Sequence, residues 1–297
     1  MKKGHYIIGL NSSPRFRDNT GSQQESTTRI LLEYSLNYAM GRKDAEVLLI
    51  DLYKLNIKEC NGCYSTDENL CSPDFDKSFE NLEGLYNGCR CFDDDYKLVE
   101  KELLKADGVI FSSPTNYGLP NPKILNVFNR MTALWQCAKI DNKIIDSPLV
   151  GKVAGAISTA HHAGALEVIY KMLMIANDLG FVIPPNAFAY VQGNVSTSTV
   201  LNKEVLNKDL TIFHNLEVVM DNVCEAIRLS KEGNWNKGYL ENHHPMSIDE
   251  SKSKFNYSKE LKRSLEEDWD KLLEEEACKS LNIFNCSKVP TLPEKKS

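Results

Sequence analysis

No stretch of this chain approaches the ~18–20 uninterrupted apolar residues that a membrane-spanning helix needs. The opening, Met1-Lys2-Lys3-Gly4-His5-Tyr6, reaches a polar loop too soon to hold the apolar region of a signal peptide. A dense Lys/Arg block is also missing, and the formal charge is −6, which disfavours a groove built to neutralise nucleic-acid phosphates. Neither G-x-G-x-x-G nor G-x-x-x-x-G-K-[ST] occurs after the first apolar run, so pyrophosphate or triphosphate cradling is disfavoured. There is no H-E-x-x-H, no Ser-His-Asp order, no internal repeat and no low-complexity tract. Together these absences lead us to expect a soluble cytoplasmic protein with neither membrane nor nucleic-acid partners.

What is present supports a substantial fold. The 297 residues are 42% hydrophobic, enough for one large α/β domain with or without an extension. Nine cysteines without an export signal read as thiols rather than a disulfide framework. Five of them, Cys60, Cys63, Cys71, Cys89 and Cys91, fall in one polar segment.

Apolar runs of strand length alternate with stretches of helical period. Strands are expected at Tyr6–Leu10, Glu46–Leu52, Gly108–Phe111, 152–158, Phe181–Ile183 and Phe188–Val191. Helices are expected at Thr28–Met40, Val99–Lys105, Ile124–Trp135, Leu166–Asp178 and roughly 210–230. Continuous apolar strands between helices predict a doubly wound parallel sheet, because right-handed crossovers leave few other topologies. Two regions break the rhythm. Residues 56–96 read as a cysteine-rich insertion. Residues 233–297 read as a polar linker and a helical C-terminal extension, with a stripe at Leu261, Leu265, Trp269, Leu272 and Leu273 that must cover a surface. The main domain is thus expected over 1–232.

Ligands of such sheets bind beyond the carboxyl ends of the strands. After the first strand come Ser12, Ser13, Arg15, Asn19, Thr20, Ser26 and Thr27, then a helix. Hydroxyls and unpaired amides at a helix N-terminus suit a terminal monophosphate, although Ser26 as a simple N-cap is the plain alternative. After Gly108–Phe111, Pro114, Thr115, Asn116, Tyr117 and Gly118 shape an irregular turn that offers backbone groups and a flat face to a planar ring. After the strand at 152–158, Thr159 and the His161/His162 pair follow among small residues that allow close approach.

The order of these segments, S-S-P-R, then A-D-G-V-I-F-S-S-P-T-N-Y-G with a later N-R, then G-K-V-A-G-A-I-S-T-A-H-H-A-G, resembles the NAD(P)H-dependent FMN reductase and iron–sulfur flavoprotein branch of the flavodoxin-like superfamily over roughly residues 5–192. The resemblance implies a flavodoxin-like fold, bound FMN, electrons from NAD(P)H, and a homo-oligomer. It maps phosphate binding onto Ser13 and Arg15 with Ser26 and Thr27. Ring binding maps onto Pro114, Thr115, Asn116 and Tyr117, and the third loop onto Thr159–Gly164. The implied activity is reduction of a small acceptor such as a quinone, nitro or azo compound. An electron carrier working with a ferredoxin-like partner, or a fold that has lost its cofactor, are the alternatives. No catalytic side chain is assigned, since the flavin carries the chemistry; Tyr117 and His161 are placed to touch a substrate.

The resemblance extends to the cysteines, where relatives carry a compact run of four. Here Thr66 stands where the third is expected. A 4Fe-4S cluster would therefore use Cys60, Cys63, Cys71 and Cys89 or Cys91. Four thiolates suit zinc equally well, and an unmetallated structural loop is the third reading.

Overall fold

The computed structural model describes residues 4–15, 26–63, 71–74, 87–135, 138–140, 143–145, 147–193 and 211–233. Five parallel strands form the central sheet: β1 (Tyr6–Asn11), β2 (Glu46–Asp51), β5 (Gly108–Asn116), β9 (Val153–Ala160) and β10 (Phe188–Gln192). Their spatial order is β2-β1-β5-β9-β10. In chain order of these five strands this is the 2-1-3-4-5 arrangement of flavodoxin-like folds. Outside this sheet lie the short antiparallel pairs β3 (Cys71–Asp74) with β4 (Asn87–Cys89) and β7 (Ala138–Ile140) with β8 (Lys143–Ile145).

Alternation along the strands sends successive side chains to opposite faces. On β1, Ile7 packs with α1 (Thr27–Lys43) and α5 (Thr211–Gly233) through Leu32, Leu36, Val219 and Val223. Its neighbours Ile8 and Leu10 face the other layer, formed by α2 (Tyr96–Lys105), α3 (Pro122–Trp135) and α4 (Ala165–Asp178) through Val99, Phe128 and Val168. Between them Gly9 admits α1 closely: a Cβ there would stand 2.8 Å from a Leu36 methyl and 2.9 Å from one of Leu32. Helix α1 starts where Ser26, in extended backbone, accepts the Arg29 N–H at 3.1 Å. Arg42 and Lys43 close it, their charges suiting its C-terminus.

The sequence expectations for strands and helices recur here within a few residues, with one correction. Phe181–Ile183 forms no strand; Val182 makes an isolated bridge to Val153, because Pro184 and Pro185 follow at once and lack the N–H groups a ladder needs. Residues 56–96, expected as one irregular insertion, contain the β3/β4 pair, and that pair lies against α3. The C-terminal extension with its Leu261–Leu273 stripe lies outside the described residues, as do Asn19, Thr20 and Thr66. Among the described residues no helix is long and apolar enough to cross a membrane.

Candidate functional site

Three loops leave the carboxyl ends of β1, β5 and β9 and enclose a cleft of about 240 Å3. The first wall is the β1–α1 segment. Ser13, Pro14 and Arg15 line it, opposite Ser26, Thr27 and Thr28 on the opening of α1. Ser13 accepts the Arg15 N–H at 3.3 Å, which bends the loop around its own hydroxyl. The first N–H groups of α1 have no intrahelical acceptor; Ser26 Oγ takes that of Arg29. Among the described residues, the cleft wall contains a guanidinium and six hydroxyl-bearing side chains but no carboxylate, a donor set that suits a phosphate dianion.

The second wall comes from β5, which continues to Asn116, turns through Tyr117 and Gly118, and returns as β6 (Leu119–Pro120). Both turn residues have positive φ, 52° and 72°, as a type I′ hairpin requires. Pro114, Thr115 and Asn116 line the cleft. Lys171 on α4 donates to the Gly118 carbonyl at 2.9 Å and fixes the turn.

The third wall follows β9. Thr159, Ala160 and His161 line the cleft beside Val191 and Gly193. The His161 and His162 rings stack with centroids 5.1 Å apart. Gly164 (φ 95°) opens α4, and a Cβ there would come within 3.1 Å of both Gly118 Cα and the Thr115 side chain. Glycine at this position therefore lets the second and third loops touch.

Hydroxyl bonds couple the walls. Ser12 N–H and Oγ–H both donate to the Ser112 carbonyl at 3.0 Å, and Ser112 Oγ donates to the Thr28 carbonyl at 3.3 Å. Thr28 and Thr159 share a hydroxyl hydrogen bond of 2.6 Å, and Thr115 and Ser158 one of 3.3 Å. The cleft is thus fixed by buried polar contacts rather than by loop packing alone.

Of the residues singled out in the sequence, Ser13, Arg15, Ser26, Thr27, Pro114, Thr115, Asn116, Thr159 and His161 line this cleft. Three do not. Ser12 is fully buried and spends its hydroxyl tying β1 to β5. Tyr117 is fully exposed at the hairpin tip, and Gly118 serves the turn rather than the wall. The sequence reading missed Thr28, Val191 and Gly193, and it missed the buried Asp51 at the end of β2. For Thr28 the signal was adjacency to Ser26 and Thr27; for Asp51 it was an acidic residue closing an apolar run.

The cysteines form a second locus. Cys71 and Cys89 lie directly opposite each other across β3 and β4, and both are buried. With Cys60, Cys63 and Cys91 they line a cavity of about 10 Å3 against α3. Asn126 accepts the Cys60 N–H at 2.9 Å, and the Gly62 N–H reaches Cys60 Sγ at 3.4 Å. Among the described residues, Arg130 is the largest fully buried side chain. Its Nε donates to Cys89 Sγ at 2.9 Å and its other nitrogens grip Asp94 at 2.9 and 3.1 Å. The guanidinium also lies over the Tyr96 and Phe92 rings at 4.4 and 5.1 Å. Burial pushes the Cys89 thiol up, and Arg130 pulls against that rise. For Asp94, burial works upward, but the Arg130 bond and the Lys58 and Tyr96 N–H groups hold the carboxyl below its usual range.

No disulfide framework is expected from the sequence, and among the described residues one pair is joined, Cys63 with Cys91. Pairing of β3 with β4 carries the 89–91 segment onto the 60–63 loop, a proximity invisible at a sequence separation of 28. Among the described residues, no group of three or more His, Cys, Asp or Glu side chains is arranged to hold a metal. The candidate ligands Cys60, Cys63, Cys71 and Cys89 thus share a cavity without forming a ligand shell.

The sequence model of the NADPH-dependent FMN reductase family matches residues 6–195. The iron-sulfur flavoprotein MJ1083 of Methanocaldococcus jannaschii is 24% identical over 174 residues, 58% of this chain and 76% of that protein. Among solved structures, RosB with bound 8-demethyl-8-formylriboflavin-5'-phosphate superposes with a TM-score of 0.60 at 15% identity, covering 99% of this chain and 96% of RosB. An FMN-dependent NADH-azoreductase from Bacillus anthracis gives a TM-score of 0.45 at 14% identity, over 74% of this chain and 99% of that one.

Proposed function

The chain belongs to the NADPH-dependent FMN reductase family, and from that premise we propose that it passes electrons from NAD(P)H through FMN to a small planar acceptor such as a quinone, nitro or azo compound. The observation that carries this reading is the cleft in which three loops converge at the carboxyl rim of the sheet, lined at one end by Arg15 and the hydroxyls of Ser13, Ser26 and Thr27. Ser13, Arg15, Ser26 and Thr27 would hold the phosphate with the first amides of α1. Pro114, Thr115 and Asn116 would meet the ring on one side, and Thr159 with His161 on the other. When bound, FMN supplies hydride acceptance and electron delivery. The protein's own contribution is placement: the Ser12–Ser112–Thr28–Thr159 chain fixes the loops before ligand arrives. Tyr117, standing clear of the wall at the rim, is available to cover an acceptor stacked above the ring.

The test is reconstitution of the full chain with FMN, followed by stopped-flow mixing with NADPH and then with a quinone, a nitroarene or an azo dye. Rapid bleaching by NADPH and reoxidation by one of these acceptors supports the reading. A flavin that stays oxidised until a reduced ferredoxin-like protein is added would replace it with electron carriage between proteins.

A second reading is favoured by the five cysteines that share one cavity. Cys71 and Cys89 stand directly opposite each other across β3 and β4, and reduction of the Cys63–Cys91 bond would release further thiols beside them. Arg130 beside Cys89 offers a fixed positive charge to a thiolate set. A 4Fe-4S cluster or a zinc ion held there, by Cys60, Cys63, Cys71 and either Cys89 or Cys91, is what these side chains would serve. Iron, sulfide and zinc assays on anaerobically purified protein decide it, with one cluster or one zinc per chain expected and neither metal overturning it.

We also propose a homo-oligomer. Tyr117, Leu119, Tyr170 and Met174 are exposed on the hairpin and on α4, more apolar surface than isolated residues on a monomer require. Light scattering of the full chain checks this, and a mass of one chain would refute it.

A further inference from the structure

Behind the anion end of the cleft lies a buried charged group that lines no part of it. Asp51 ends β2, with its side chain only 4% exposed. One of its oxygens accepts Asn11 Nδ2–H at 2.7 Å, and Arg29 Nε–H lies 3.1 Å from both. Asn11 ends β1, and its Oδ1 accepts the Ser13 N–H at 3.2 Å. Arg29 sits in the first turn of α1; its backbone N–H is the one capped by Ser26, and its guanidinium continues to Glu33 at 2.8 Å.

A single carboxylate therefore fastens both sides of the anion seat, the end of β1 through Asn11 and the first turn of α1 through Arg29. The spacing matters because hydroxyl and amide donors serve a phosphate oxygen only over a few tenths of an ångström. The charge matters too. An uncompensated carboxylate behind an anion seat would repel the anion, and Arg29 cancels it. Asp51 lies 40 residues from Asn11 and 22 from Arg29 along the chain, so no local signal sets the geometry.

We propose that Asp51, acting through Asn11 and Arg29, is the positioning residue that sets this chain's preference for a phosphorylated over an unphosphorylated flavin. The inference rests on the reading that the flavin phosphate lies at the Ser13–Thr27 end of the cleft.

The experiment titrates the full-length apoprotein with FMN and, separately, with riboflavin, following flavin fluorescence at one ionic strength. The native chain is expected to favour FMN by about 100-fold or more, as charge-assisted phosphate contacts imply. Asp51→Ala and Asn11→Ala should each lose at least about tenfold in FMN affinity while riboflavin affinity stays within about twofold. Arg29→Met should lose comparably, and adding Asp51→Asn to it should restore part of the loss, because no unpaired carboxylate then faces the phosphate. Should Asp51→Ala fail to fold, Asn11→Ala and the Arg29→Met/Asp51→Asn cycle carry the same readout. Equal weakening of FMN and riboflavin would mark general loosening and overturn the proposal, as would an unchanged FMN preference. If the native chain itself binds the two flavins equally, the phosphate placement fails and this inference fails with it; discrimination in the native chain that survives every substitution sinks the inference alone.

Discussion

Lys152, which leads into β9 at the end of the sheet away from the cleft, illustrates how one buried charge leaves a measurable mark. Its ammonium donates to the Leu104 and Ala106 carbonyls at 2.9 and 2.6 Å and so closes the C-terminus of α2. Burial is the main cause that pushes its pKa down, to about 8. A lysine that titrates lower when folded binds fewer protons in the folded than in the unfolded state between about 8 and its ordinary value of 10.5. Stability gains from this residue as pH rises through that window. We expect the stability difference between the native chain and Lys152→Met, from urea midpoints, to shift in favour of the native chain between pH 8 and pH 10, by up to about 3 kcal/mol. A difference independent of pH would show that Lys152 titrates normally.

At the scale of elements, α1 does two jobs with one end. Ser26 caps the helix and also lines the cleft, so Ser26→Ala should cost about 1 kcal/mol of stability and weaken FMN binding as well. Replacement by Asp tests the two separately. It restores the cap but sets a negative charge beside the proposed phosphate position, so thermal stability should recover while FMN affinity falls below that of the alanine variant. The hairpin of β5 and β6 depends in the same way on α4, through Lys171 to Gly118 and through the contact that Gly164 permits. Gly164→Ala has to find room for a Cβ 3.1 Å from Gly118 Cα at a φ of 95°, and the expected result is a displaced second wall seen as weaker flavin binding.

Over the whole molecule, the sheet holds two cores, one against α1 and α5 and one against α2, α3 and α4, while the cleft sits on the rim where neither core extends. A ligand there adds stability by mass action alone. Saturating FMN at about 100 times its Kd should raise unfolding free energy by about 2.7 kcal/mol, visible as a higher Tm. Riboflavin at the same absolute concentration should raise it much less, since it lacks the phosphate that we propose the first wall binds.

Much of this was legible in the residues. Apolar runs and helical periods set the parallel α/β architecture, because those signals act over one turn or one strand and need no partner to be read. The loops of the cleft were legible too, since a strand emptying into hydroxyls ahead of a helix is a local pattern. Tertiary structure alone decided that Ser12 faces inward to Ser112 across 100 residues, that Tyr117 points to solvent, that Cys63 meets Cys91, and that Asp51 governs Asn11 and Arg29. Each of these depends on which strand lies beside which, and hydrogen bonds between distant segments have no periodicity along the chain from which to infer them.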